Sequence, residues 1–146
     1  MNDNLIIRQA TIADAAIITN LSVTTFIDAF GSVNTKEDMD KYISECMSLQ
    51  RLSEEIEDTG SLFLLAVLDG SPVGYTKLRW TEIPDELTGT KPIEIERIYV
   101  LQQYQNRKVG IELMNYCINY GLSNNYDTIW LGVWEHNTNA IRFYER

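Results

Sequence analysis

The sequence predicts an α/β domain, a mixed central sheet flanked by helices. Three observations predict it. An Asp69-Gly70 turn stands between two apolar runs, which is the signal of an antiparallel hairpin. A strand-like alternation over residues 93–100 leads into a helical pattern from Arg107 and then a second strand pattern from Thr128, a crossover. A strand followed by a capped helix opens the chain, giving the order β-α-α-β-β-β-α-β-α.

Taken in order, residues 5–10 read as the first strand. Thr11, with Asp14 three residues on, marks a helix start, and Ala15, Ile18, Leu21 and Ser22 keep helical spacing to about Thr24. Phe26, Asp28 and Phe30 admit two readings. They form an aromatic and acidic lip for an amine, or Phe26 and Phe30, four apart, are the packing stripe of a helix end. Thr35 opens another helix with acids in its first turn and Met39, Tyr42, Ile43, Cys46 and Met47 as its apolar face. Residues 49–57 continue as a short helix with Leu52 and Ile56 inward.

The continuous apolar run 61–68 reads as a strand buried on both faces, and 73–80 as its returning partner. Gly74 in mid-strand implies a bend or a close approach of backbones. Residues 81–91 are a polar loop. Strict alternation then puts Ile93, Ile95, Arg97 and Tyr99 on one face and Glu94, Glu96, Ile98 and Val100 on the other. The helix from Arg107 carries Gly110, Met114, Cys117 and Gly121 on one stripe, with Leu113, Ile118 and Leu122 beside it. A strand over 128–134 and a helix over 137–146 finish the chain.

A chain of 146 residues is one domain, residues 1–146, with enough length for a core. Its net charge of −9 argues against nucleic acid and anionic membrane as partners and suits a cationic small molecule. No apolar run approaches the ~20 residues of a bilayer span, and the N-terminus lacks a signal pattern. Cys46 and Cys117 fall in different helices without metal spacing, so they read as buried free thiols, with no metal, and the cytoplasm is the expected compartment. His136 is the sole histidine, which leaves a Ser-His-Asp or Cys-His arrangement little support.

Chemistry concentrates in the loop Gln105-Asn106-Arg107-Lys108-Val109-Gly110, amide and basic side chains at the mouth of a helix. Unpaired first-turn N–H groups there suit a phosphate or pyrophosphate. This loop resembles the Gln/Arg-x-x-Gly-x-Gly/Ala loop of the GCN5-related N-acetyltransferases (GNAT). Asn137-Thr138-Asn139-Ala140-Ile141-Arg142-Phe143-Tyr144 resembles the N-x-x-A-x-x-x-Y segment of the same family. IERIYV and IWLGVWEHNTNAIRFY are similar to the bacterial spermidine/spermine N-acetyltransferases of the PaiA type.

The resemblance implies the GNAT fold and acetyl-CoA as co-substrate. It places the pyrophosphate on Gln105 to Gly110 and the thioester against the backbone of Ile98, Tyr99 and Val100. Asn137 would bond the pantetheine arm, and Tyr144 would be the general acid to the thiolate. The loop departs from the family at Lys108, where the pattern has a glycine that permits positive φ. The family also continues past its tyrosine with two more strands, whereas this sequence stops at Arg146. The expectation is an exposed sheet edge, with either the tail missing from this sequence or a partner chain, as in a homodimer, covering the edge, and a less stable monomer.

Acetyl transfer requires a held thioester, an amine that loses a proton, and an acid for the thiolate. Glu94 and Glu96, two apart on one strand, are candidate bases whose mutual repulsion would raise one pKa; alternatively one of them pairs with Arg97 or Lys77. Glu135 is a third acid near the cleft, and with Phe26 and Asp28 it makes the candidate substrate-binding set. The expected activity is transfer to a primary amine of a small molecule, with a polyamine such as spermidine as one acceptor. The rivals are a catalytically impaired CoA-binding or interaction domain and a protein N-acetyltransferase.

Overall fold

The computed structural model describes residues 4–81, 89, 91–105 and 107–131. The elements are β1 (Leu5–Gln9), α1 (Ala15–Phe30), α2 (Lys36–Cys46), α3 (Leu49–Glu57), β2 (Ser61–Leu68), β3 (Ser71–Arg79), β4 (Pro92–Val100), α4 (Val109–Ser123) and β5 (Thr128–Leu131). The five strands form one sheet in sequence order, β1-β2-β3-β4-β5. The first three pairings are antiparallel and β4–β5 is parallel, as a crossover through α4 requires.

Local chemistry sets the helix starts. Arg8 donates to both oxygens of Asp14, at 2.8 Å each, and Thr11 N–H donates to Asp14 Oδ2 at 2.9 Å. This holds the end of β1 against the entry to α1. Thr35 Oγ1 accepts from Asp38 N–H and Ser48 Oγ from Arg51 N–H, capping α2 and α3 as separate helices. α1 runs six residues beyond the expected end at Thr24. Its hydroxyl residues do not break it because they bond back to their own helix: Thr19 to the Ala15 carbonyl, Ser22 to Ile18, Thr25 to Leu21. Counted as a helix, Ile12–Phe30 is long and apolar enough to cross a bilayer by length and composition. The sequence reading missed this. Ile18, Leu21, Ser22 and Thr25 are buried, which marks α1 as a core helix.

Asp69 and Gly70 take φ of 52° and 83° and close the β2–β3 hairpin as expected. β2 is buried on both faces. Phe63 and Leu65 pack with Ile18, Leu21, Leu52 and Tyr75 on the α1/α3 side, while Leu62 and Leu64 pack with Leu78, Ile93, Ile95 and Cys117 on the α4 side. Each such fully buried aliphatic side chain contributes roughly 1.5–3 kcal/mol.

Two sequence expectations need correction here. The β3–β4 register shifts by one: Lys77 pairs with Arg97 but Leu78 with Ile95, so Glu96 is the extra residue of a bulge. Alternation therefore changes phase within β4. Ile93, Ile95, Ile98 and Val100 pack on the α4 side. Glu94, Glu96, Arg97 and Tyr99 turn toward α1 and α3, where Tyr99 and Leu101 join the Tyr75 cluster. In α4 the inward stripe is Val109, Leu113, Cys117 and Gly121, while Ile118 and Leu122 face solvent. Cys117 is buried, and burial pushes its thiol up to about 12; Cys46 is only half-buried. The expected remainder of the last strand and the helix over 137–146 lie outside the described residues.

Candidate active site

β4 is the floor of the site. It pairs with β3 from Arg79–Glu94 to Gly74–Val100, but with the described part of β5 only over Pro92 to Ile95. Residues 96–100 thus carry a backbone edge with no described partner strand. Gly74 brings β3 close to it: a Cβ there would stand 2.6 Å from the Tyr99 carbonyl oxygen and 3.2 Å from Val100 Cα. The sequence expectation of a close approach at Gly74 holds, and it falls on the segment expected to place a thioester.

Beyond Val100 the chain turns through a short 3-10 segment, Gln102–Tyr104, and reaches α4. Gln105 Nε2 donates to the Val100 carbonyl at 3.3 Å, and Arg107 N–H donates to the Tyr104 carbonyl at 3.0 Å. Lys108 caps the helix with φ 63° and ψ 17°, the left-handed conformation that a glycine would take at no steric cost. The helix begins at Val109, two residues later than expected, because those two residues make the turn. Val109 is buried and anchors the turn, while Gln105, Arg107 and Lys108 are exposed at the positive end of α4. Asn106 lies outside the described residues.

On the α1/α3 face, Phe26 is in contact with Phe30 (centroids 5.2 Å apart) and stacks on Tyr42 of α2 (4.6 Å). The packing reading of this stretch holds, since Phe26 and Phe30 end a helix and pack together, half-buried beside an exposed Asp28. Tyr42, expected in the core, is 38% exposed. Behind them Tyr75 is fully buried, with its hydroxyl 2.7 Å from Ser22 Oγ, and burial pushes the phenol up to about 12.

Glu94 and Glu96 are not a free, mutually repelling pair. Glu94 is buried and hydrogen-bonded by Arg79 Nε. Glu96 lies 2.7 Å from Lys77 Nζ and 2.9 Å from Arg79 Nη1. Glu55 of α3 faces Lys77 Nζ and Arg97 Nη2 at 2.9 Å each. Burial alone would raise the pKa of Glu96, but the Lys77 hydrogen bond and the charges of Arg97, Lys77 and Arg79 outweigh it and hold it below the usual carboxylate range. Burial likewise opposes the Arg97 charge, yet Tyr75, Glu55 and Glu96 outweigh it and its pKa is raised. The expected upward shift of one carboxyl is therefore reversed at Glu96, which makes it a weak base. The ion-pair alternative with Lys77 and Arg97 is what the chain adopts.

Sequence reasoning named Lys77 and Arg97 as partners but missed Glu55 and Arg79 as members of this group. The available signal was two cations alternating along an otherwise apolar strand, since buried cations require partners. Tyr144, Asn137 and Glu135 lie outside the described residues.

Known proteins share this fold. The family model described as Acetyltransferase (GNAT) family matches residues 24–146. An uncharacterized N-acetyltransferase in the pepI 3' region of Lactobacillus delbrueckii subsp. lactis is 38% identical over 124 residues, covering 85% of this chain and 72% of that protein. The PaiA N-acetyltransferase of Thermoplasma acidophilum, solved in complex with coenzyme A, superposes with a TM-score of 0.81 at 21% identity, covering 97% of this chain and 86% of that one. An aminoglycoside acetyltransferase from an uncultured soil metagenomic sample, solved with trehalose, superposes with a TM-score of 0.74 at 14% identity, covering 99% and 87%. At these identities the two solved structures speak for the fold alone.

Proposed function

Because the chain belongs to the GNAT acetyltransferase family, we propose that it transfers the acetyl group of acetyl-CoA to a primary amine of a small molecule, with a polyamine such as spermidine among the candidate acceptors. The observation that carries this reading is Lys108. It adopts the left-handed conformation that the family's glycine permits although no glycine stands there, and first-turn amides, unpaired within their own helix, suit a pyrophosphate. The same geometry favours a working loop despite its lysine over an impaired binding domain.

On this reading the phosphates lie on Gln105 to Gly110 and the thioester runs along residues 98–100, which have no partner strand on that side among the described residues. The acceptor approaches from the face of Phe26, Tyr42 and Tyr99. The paired state of Glu94 and Glu96 points away from a direct carboxylate base and toward an amine that gives up its proton to water. Tyr144, by the family pattern, protonates the leaving thiolate. A phenol of pKa near ~10 is matched to that task.

Thermal shift with acetyl-CoA, then thiol release with a panel of amines, tests the reading. A rise in Tm with acetyl-CoA and amine-dependent thiol release are expected; a flat response to acetyl-CoA would remove it. Tyr144→Phe is expected to lower kcat by on the order of 10²-fold while leaving acetyl-CoA affinity within about twofold. An unchanged kcat takes Tyr144 out of its role.

A further inference from the structure

α2 is held to the molecule differently from the helices before and after it. α1 buries Ile18, Leu21, Ser22 and Thr25. α3 buries Leu52, pairs Glu55 with Lys77 and Arg97, and accepts from Ser61 Oγ at the Glu55 carbonyl. Of the eleven residues of α2 only Met39 is buried. Among the described residues, its side-chain hydrogen bonds reach no further than its own cap at Thr35, and it makes no ion pair.

The two ends of α2 differ. Residues 31–38, which lead into it, are all exposed. Met47, which ends it, packs against the cluster of Leu52, Phe63 and Tyr75, and Ser48 beyond it caps α3. So short a helix is marginal in water by itself. Its placement therefore depends on Met39, on the half-buried Ile43, and on Tyr42, whose ring stacks on Phe26 of α1 at 4.6 Å. A segment with one loose end, one anchored end and few buried contacts opens at low cost.

Tyr42 also links α2 to the site. Burial raises its phenol pKa, Cys46 adds to the rise and the Arg97 charge opposes it. The Tyr99 phenol is raised by burial, opposed by Arg97 and raised further by Tyr42. Tyr42 thus stands within electrostatic reach of Arg97 and Tyr99, the two neighbours of Ile98 in the chain. We propose that α2 is a lid over the acceptor approach, hinged at Met47 and Ser48 and latched by the stacking of Tyr42 on Phe26. The acceptor's route rests on the acetyl-transfer reading above. Lifting the lid takes Tyr42 away from Arg97 and Tyr99 and widens the way to residues 98–100. Closing it over a bound amine keeps water from the thioester.

The test is hydrogen exchange, read by mass spectrometry on peptides from α1, α2 and α3. In the free protein, α2 amides are expected to exchange at least about tenfold faster than those of α1 and α3. Coenzyme A is then added with the amine turned over fastest in the thiol-release panel, or with spermidine if none is turned over. That unreactive pair is expected to slow α2 several-fold beyond coenzyme A alone. Tyr42→Ala is expected to speed exchange in α2 while α1 and α3 keep their rates, and Tyr42→Phe, which keeps the ring, to match the wild type. Should Tyr42→Ala misfold, Phe26→Leu removes the stack from the other side. An α2 that exchanges at the pace of α1 and α3, or that no amine slows, overturns the lid. Thiol release with an α2 that no amine slows sinks the lid and spares the acetyl-transfer reading; amine-dependent slowing without thiol release does the reverse.

Discussion

At the scale of single residues, two positions control the cofactor side of the site through backbone alone. At Gly74 the atoms a methyl would meet are the Tyr99 carbonyl and Val100 Cα, neither of which can rotate away. Gly74→Ala must therefore push the end of β4. It is expected to cost about 2 kcal/mol, as overpacking does, and to raise the acetyl-CoA KM several-fold, measured by urea unfolding and steady-state kinetics. Wild-type values for both would show that β4 yields freely there. Lys108 is the opposite case, a side chain in a conformation that favours glycine. Lys108→Gly relieves roughly 1 kcal/mol of left-handed strain, so Tm is expected to rise. The amides stay as they are, while one exposed cation is lost near three phosphates. Acetyl-CoA should therefore bind about two- to fivefold more weakly at low salt and equally at high salt. A loss of affinity that persists at high salt would mean that lysine shapes the turn itself.

At the scale of elements, the Arg8–Asp14–Thr11 junction fixes how β1 hands the chain to α1. Asp14 is buried, and the Arg8 hydrogen bonds outweigh burial to hold its carboxyl down at about 2, against ~3.9 for an unperturbed aspartate. A depressed folded pKa adds stability above the unfolded value, and that stability is lost as pH falls through the folded one. Wild-type stability should therefore fall between about pH 4 and pH 2 more steeply than that of Asp14→Asn, with the two converging at the acid end. Parallel pH profiles would show that the junction is not an ion pair in solution. This junction was legible in the sequence as Thr11 with Asp14, and so were the Asp69-Gly70 turn and the start of α2 at Thr35, because each rests on local chemistry. The bulge at Glu96 was not. A bulge is fixed by the register of β4 against β3, a tertiary fact, and one extra residue reverses which side chains share a face. The site reading divided at the same point: the two acids read either as a repelling pair or as partners of Arg97 or Lys77, and the second holds. Arg79 and Glu55 are the members that the sequence did not pair with them, because only the register of β3 and the docking of α3 bring them there.

At the scale of the molecule, those six charges tie one helical layer to the sheet. Glu55 comes from α3, Lys77 and Arg79 from β3, and Glu94, Glu96 and Arg97 from β4, so three cations balance three carboxylates between α3 and the sheet. The chain's net charge of −9 therefore resides outside this group, on surfaces such as the exposed acids of α2, where it can steer a cationic acceptor without neutralising the floor. A balanced buried group is sensitive to the removal of one member. Glu55→Gln leaves Lys77 and Arg97 with a single shared carboxylate, Glu96, and is expected to cost about 3 kcal/mol in urea unfolding. Removing a cation along with it restores the balance, and a hydrophobic stem of similar volume fills the space. The double variant Glu55→Gln with Lys77→Met should therefore regain more than half of the loss. If the two changes simply add, charge balance is not what holds α3 to the sheet, and the packing of Leu52 against Phe63 and Ile18 would have to carry that interface by itself.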